Sequence, residues 1–106
     1  MAKFQTITAP NMQAMLQEDD AVMLLDCRKM NDYRAGHIDK AMFVHEDLKE
    51  SLLKKADKSK KMVIYCYHGH SSEHLAEMFA DFGYENVFSL QGGFEEWQQY
   101  QAATNS

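Results

Sequence analysis

Two short runs of uninterrupted apolar residues, Ala21-Val22-Met23-Leu24-Leu25 and Met62-Val63-Ile64-Tyr65-Cys66, constrain what this chain can fold into more than any other feature. A strand with one face in water alternates apolar and polar side chains. A short run without alternation suits a strand covered on both faces, as in a parallel sheet flanked by helices. Weaker strand patterns lie at residues 4–7, 41–44 and 87–90. Helical spacings fall between them: Met12, Met15 and Leu16 behind Thr8 as a candidate cap; Leu48, Leu52, Leu53 and Ala56; Leu75, Met78, Phe79 and Phe82, stopping at Gly83; and Phe94, Trp97 and Gln101 after Gly92-Gly93. Strand and helix alternate throughout. This predicts an α/β fold with a mostly parallel sheet, helices on both faces and a site at the carboxyl ends of strands. Cys66 stands at such an end.

The 106 residues leave room for one compact domain, read as 1–106 without a boundary because there is no repeat, linker or low-complexity tract. Hydrophobic residues at 45% and charged residues at 25% suit a packed core. No apolar run approaches the roughly 20 residues that span a bilayer, so no membrane association is expected and a cytoplasmic location is the default. Two cysteines, Cys27 and Cys66, fit a reducing compartment in which each is a free thiol. A net charge of -5 argues against nucleic-acid binding. The one basic cluster, Lys54, Lys55, Lys58, Lys60 and Lys61, is interrupted by Asp57 and reads as a solvated helix end. The eight methionines read mostly as gap-fillers in the core.

The segment Cys66-Tyr67-His68-Gly69-His70-Ser71-Ser72 runs from the end of a buried strand into an amphipathic helix. A short loop ending at a helix N-terminus points backbone N–H groups inward, and the helix dipole adds partial positive charge at the same place. A thiol held there loses its proton more easily, and the thiolate is the nucleophile. Gly69 permits tight curvature, while Ser71 or Ser72 can cap the helix or donate to a bound sulfur. Cys66, His68, His70 and His74 could instead suggest zinc, but four such residues in one strand end, loop and helix start do not form the two separated ligand pairs usual in structural sites. A phosphatase built on a cysteine nucleophile would want Arg at the end of the loop, where Ser72 stands. No Lys or Arg occurs from residue 62 to 90, which disfavours phosphoryl transfer.

Three ordered motifs carry a family resemblance: Asp26-Cys27-Arg28 followed by Tyr33-x-x-Gly36-His37-Ile38, the loop CYHGHSS beginning at Cys66, and Gly92-Gly93-Phe94-x-x-Trp97. With these the chain resembles the rhodanese superfamily over nearly its whole length, most closely the GlpE-type single-domain thiosulfate sulfurtransferases. The resemblance implies a single rhodanese-like domain with a five-stranded parallel sheet, Cys66 as the residue that becomes a persulfide, and an active loop from Cys66 to Ser71. It further implies double displacement, in which the thiolate takes the outer sulfur of thiosulfate, sulfite leaves, and cyanide or a thiol accepts the sulfur. Asp26 and Arg28 are expected to support the site, with Arg28 ion-paired inside the fold. Gly36-His37-Ile38 is read as scaffold, His37 as satisfying a backbone hydrogen bond, and Phe94 and Trp97 as core.

Two positions depart from the family pattern: His70 stands where Asn is common, and Cys27 where a hydrophobic residue is common. His70 reads equally as part of a positive field for an anionic donor or as a solvated loop residue. Cys27 reads first as a small packing residue and second as a disulfide partner of Cys66, because the resemblance puts its strand beside the one ending at Cys66. The expected enzyme is a thiosulfate:cyanide sulfurtransferase without metal or cofactor, monomeric or homodimeric, with a thioredoxin-like protein among its candidate acceptors. The alternatives are a persulfide carrier or interaction module with little turnover of free thiosulfate, and an inert binding domain, although the latter would not need the retained cysteine.

Overall fold

The computed structural model describes residues 4–104. The elements run β1 Gln5–Ile7, α1 Ala9–Glu18, β2 Met23–Asp26, α2 Met30–Ala35, β3 Met42–Phe43, α3 Glu46–Lys54, β4 Met62–Tyr65, α4 His70–Asp81, β5 Val87–Leu90 and α5 Gly93–Thr104. The strands form one sheet in the order β1-β5-β4-β2-β3, with every pairing parallel. The fold is the α/β arrangement expected, and the sheet is wholly rather than mostly parallel.

The apolar run of β4 explains its place. Strand side chains alternate between faces, and Met62 and Ile64 enter one core while Val63 and Tyr65 enter the other, all four buried. The first core lies under α3 and α4 and includes Leu25, Leu52, Ala76 and Phe79. The second lies under α1 and α5 and includes Ile7, Met12, Leu24 and Leu90, with Phe94 and Trp97 half-buried against it. Each fully buried aliphatic side chain here stabilises the fold by about 1.5 to 3 kcal/mol. Thr8 caps α1, its hydroxyl accepting from Asn11 N at 3.4 Å. Gly83 follows α4 in the left-handed region at φ +107°.

Several boundaries move, for physical reasons. Ala21 is outside β2 because its N–H donates to the Asp19 carboxylate at 2.9 Å in a turn. Asp26 is inside β2 because its carboxylate, though fully buried, is paired. At the third strand Ala41 N turns back to Ile38 O, after Lys40 in the left-handed region, and only residues 42 and 43 pair. Helix α3 starts early because His45 Nδ1 accepts from Leu48 N at 3.2 Å, and it ends before Ala56. The short helix α2 was not expected; none of its residues is buried, so it leaves no apolar periodicity. Lys58 is more than solvated, since its ammonium donates to Phe82 O at 2.6 Å beyond the end of α4. Met30 and Met42 are exposed rather than core-facing. Among the described residues, no helix is long and apolar enough to cross a membrane.

Candidate active site

Cys66 is the first residue beyond β4, and it leaves the ladder because its carbonyl accepts from Phe94 N at 2.8 Å, on α5. The chain then turns through Tyr67 and His68 to Gly69, whose φ of +105° lies in the left-handed region open to glycine, and α4 begins at His70. That turn aims two peptide nitrogens at the sulfur: Gly69 N at 3.1 Å and Ser72 N at 3.4 Å from Cys66 Sγ. Ser72 Oγ stands 3.5 Å from the same sulfur and 2.8 Å from Ser89 Oγ on β5. The expected cradle therefore consists of two amides and a buried hydroxyl at the start of a helix. Cys66 itself is only 3% exposed.

Cys27 is the other neighbour. It follows Asp26, which is in register with Tyr65, and its N–H donates to Tyr65 O at 2.9 Å, so the last bond of the β2–β4 ladder sets Cys27 beside the residue that precedes Cys66. The Cys27 thiol lies beside Cys66, close enough to shift its titration. That contact, together with the Ser72 hydroxyl and the Ser72 and Gly69 amides, outweighs burial and brings the Cys66 thiol down to about 4. The same contact, with burial, pushes the Cys27 thiol up. The site thus holds one thiolate and one thiol side by side near neutral pH.

The rest of the loop is tied from both sides. The Tyr67 hydroxyl donates to the Asp32 carboxylate and accepts from Lys29 N, which connects the loop to α2. His68 Nδ1 lies 2.7 Å from Glu95 Oε2, and Tyr67 O accepts from Glu95 N at 3.2 Å. Helix α5 can approach this closely because Gly93 has no side chain: a Cβ there would lie 2.5 Å from Tyr67 O and 2.7 Å from Cys66 O, and its φ is +62°. His70, Ser71 and His74 are exposed, and among the described residues no group of three His, Cys, Asp or Glu is gathered to hold a metal ion.

Asp26 and Arg28 lie on the opposite face of the sheet from the thiols. The Arg28 guanidinium meets the Asp26 carboxylate with Nη2 at 2.8 Å and Nε at 3.1 Å, donates to Gly36 O at 2.6 Å, and lies 3.9 Å from the Phe94 ring centroid. This pair ties the Gly36 turn to the sheet without touching Cys66. His37 Nδ1 meets Tyr33 O at 2.8 Å, again a scaffold contact. A cavity of about 390 Å³ opens beside the loop, lined by Arg28, Tyr67, His68, Phe94 and Glu95 among others.

Ser89, Asp32 and Glu95 take part in this arrangement although no motif marked them. Ser89 is 17 residues from Ser72 in sequence, and only strand order brings the two together.

A family model described as a rhodanese-like domain matches residues 8–100. The thiosulfate sulfurtransferase GlpE of Shewanella oneidensis is 31% identical over 102 residues, covering 96% of this chain and 100% of that one. The protein of the same name from Coxiella burnetii is 33% identical over 85 residues, 80% of this chain and 79% of that one. Among solved structures, the rhodanese-like domain of an Anabaena protein superposes with a TM-score of 0.78 at 26% identity, covering 90% of this chain and 74% of that one. A Rhodopseudomonas palustris protein described as a possible tyrosine phosphatase has the same fold, with a TM-score of 0.78 at 23% identity over 92% of this chain and 82% of that one.

Proposed function

The chain belongs to the rhodanese-like family of sulfurtransferases, and from that premise we propose that it is a thiosulfate sulfurtransferase in which Cys66 carries the sulfur as a persulfide. The observation that carries the reading is the Cys66 sulfur under the Gly69 and Ser72 amides, with its pKa brought to about 4. At neutral pH this group is a thiolate. It attacks the outer sulfur of thiosulfate; a bond forms between Cys66 Sγ and that sulfur, and sulfite departs with the electron pair of the broken S–S bond. A cyanide or thiolate acceptor then attacks the outer sulfur and regenerates the Cys66 thiolate. Splitting the transfer into two displacements is covalent catalysis, and the amides stabilise negative sulfur at each stage. In this reading Ser72 hydrogen-bonds the sulfur, Tyr67, His68, Gly69, His70 and Ser71 form the loop, and Asp26 and Arg28 hold the turn at Gly36.

The test is mass spectrometry of the protein after thiosulfate treatment, with sulfite measured alongside. The expected result is one sulfite per chain and, in samples quenched as sulfite appears, one added sulfur atom on the peptide containing Cys66. Sulfite release with Cys66 left a free thiol, carrying neither an added sulfur nor a disulfide, overturns the assignment. The thiosulfate relatives support this choice of donor.

A second reading, a carrier loaded by a partner's persulfide, is favoured by one observation: Arg28 and His68, the basic side chains lining the cavity beside the loop, are both paired with carboxylates. A dianionic free donor gains little from basic side chains already engaged by carboxylates. Steady-state thiocyanate formation from thiosulfate and cyanide separates the two, because a carrier loads once and turns over slowly.

A further inference from the structure

Resting on the reading of Cys66 as the persulfide residue, we propose that Cys27 is a resolving thiol: it attacks the Cys66 persulfide within the same chain, releases the carried sulfur as hydrosulfide and leaves a Cys27–Cys66 disulfide. The argument begins with register. Asp26 pairs with Tyr65, and the Cys27 N–H continues the ladder onto Tyr65 O at 2.9 Å. The two cysteines therefore each follow directly on the last paired residues of neighbouring parallel strands, and the usual strand spacing of about 4.8 Å lies within the roughly 4.4 to 6.8 Å between Cα atoms that a disulfide requires. Alternation sends both side chains to one face: Cys27 packs against the core beneath α3 and α4, and Cys66 meets Ser72 of α4. Each thiol shifts the titration of the other, Cys66 down and Cys27 up.

The chemistry closes without an outside oxidant. Cys27 Sγ forms a bond to Cys66 Sγ as the bond from Cys66 Sγ to the outer sulfur breaks. The outer sulfur leaves with that electron pair as hydrosulfide, carrying the proton that Cys27 gives up. The sulfane sulfur is reduced by two electrons, and the two cysteine sulfurs supply one each. The carried sulfur is itself the oxidant, so oxygen or peroxide is not needed. A dithiol reductant then returns the disulfide to two thiols by exchange. While Cys66 is an unloaded thiolate, its proximity and charge, with burial, keep the Cys27 thiol protonated. Loading moves the negative charge to the outer sulfur and removes this restraint. An acceptor positioned within the fold competes with free thiols through a high effective concentration. The chain would then convert sulfane sulfur to sulfide using dithiol electrons, as well as pass it to an external acceptor.

The experiment loads the full chain with thiosulfate, removes excess donor, and follows persulfide, hydrosulfide and the Cys27–Cys66 disulfide over time with no acceptor present. It compares the natural chain with Cys27→Ser and Cys27→Ala, and sulfite release reads loading separately. The natural chain should release one hydrosulfide per sulfite and accumulate the disulfide. The variants should hold the persulfide at least about tenfold longer, in keeping with an intramolecular acceptor. Dithiothreitol should reduce a disulfide back to two thiols in the natural chain, whereas in the variants its addition should itself release the hydrosulfide from the persistent persulfide. A persulfide equally long-lived in all three proteins overturns the resolving role and leaves the proposed function standing. Absence of both sulfite and persulfide in the natural chain overturns the two together. The serine and alanine variants differ in polarity and packing, so agreement between them excludes a folding artefact.

Discussion

The ends of β2 and β4 carry two pairs of neighbours, Asp26 beside Tyr65 and Cys27 beside Cys66, and the sheet sends the first pair to one face and the second to the other. On the face under α1 and α5, the polar groups at the strand ends are answered: Asp26 by Arg28, Arg28 also by Gly36 O, and the Tyr65 hydroxyl by Ile38 N at 3.1 Å. On the face under α4, donors converge on a sulfur anion that stays nucleophilic. Both regions bury charge. The ion pair spends its charge inside the protein and holds a turn, whereas the thiolate keeps its charge for a substrate. Substitutions on the first face should therefore appear as lost stability, and on the second as lost reactivity.

The largest effect should come from Cys66→Ser, with sulfur transfer falling by at least about a thousandfold and the melting temperature nearly unchanged; retained transfer would break the comparison on its reactive side. Next is Asp26→Ala, which leaves the buried guanidinium of Arg28 without its carboxylate and should cost about 3 to 5 kcal/mol in denaturant unfolding. A stable variant with impaired loading would instead place Asp26 with the chemistry. Gly93→Ala should cost about 1 to 3 kcal/mol from the left-handed backbone and the collision with Tyr67 O, and it should also slow loading because α5 and the loop share that contact.

The pH dependence sharpens the comparison further. The loading rate follows the Cys66 thiolate, which persists above its depressed pKa, so single-turnover sulfite release should stay level through neutral pH and fall as pH drops through about 4. Cys27→Ala removes the largest acidifying contact, so that limb should move to higher pH; an unmoved limb would assign the acidity to the amides and Ser72. The smallest effect belongs to Ser89→Ala, about 1 kcal/mol of stability, with a slight upward movement of the same limb through Ser72.

The parts of the fold that could be read from sequence are those whose signal is local. The apolar run at residues 62–66 and the helix stopping at Gly83 depend on burial and backbone preference within a few residues. The Cys66 loop was legible for the same reason, since strand end, glycine and helix start are contiguous. Helix α2 was not, because it buries nothing and is held by Tyr33 reaching Ala41 O and Asp32 reaching Tyr67. Asp26 read as the residue after a strand, and only its pairing with Arg28 keeps a carboxylate within one. Ser89 and Glu95 join the site through strand order and the docking of α5, which no spacing rule contains. Gly92-Gly93 was visible as a motif, but its reason, the closeness of two carbonyls, needed coordinates.

That docking has a consequence during synthesis. The carbonyls of Cys66 and Tyr67 find their donors in Phe94 and Glu95, and Ser72 finds Ser89. A nascent polypeptide on the ribosome displays Cys66 well before those later positions emerge from the exit tunnel. Until they do, the loop lacks the contacts from β5 and α5 that hold its amides on the sulfur. A fragment ending before β5 therefore lacks the contacts that fix the loop around the sulfur.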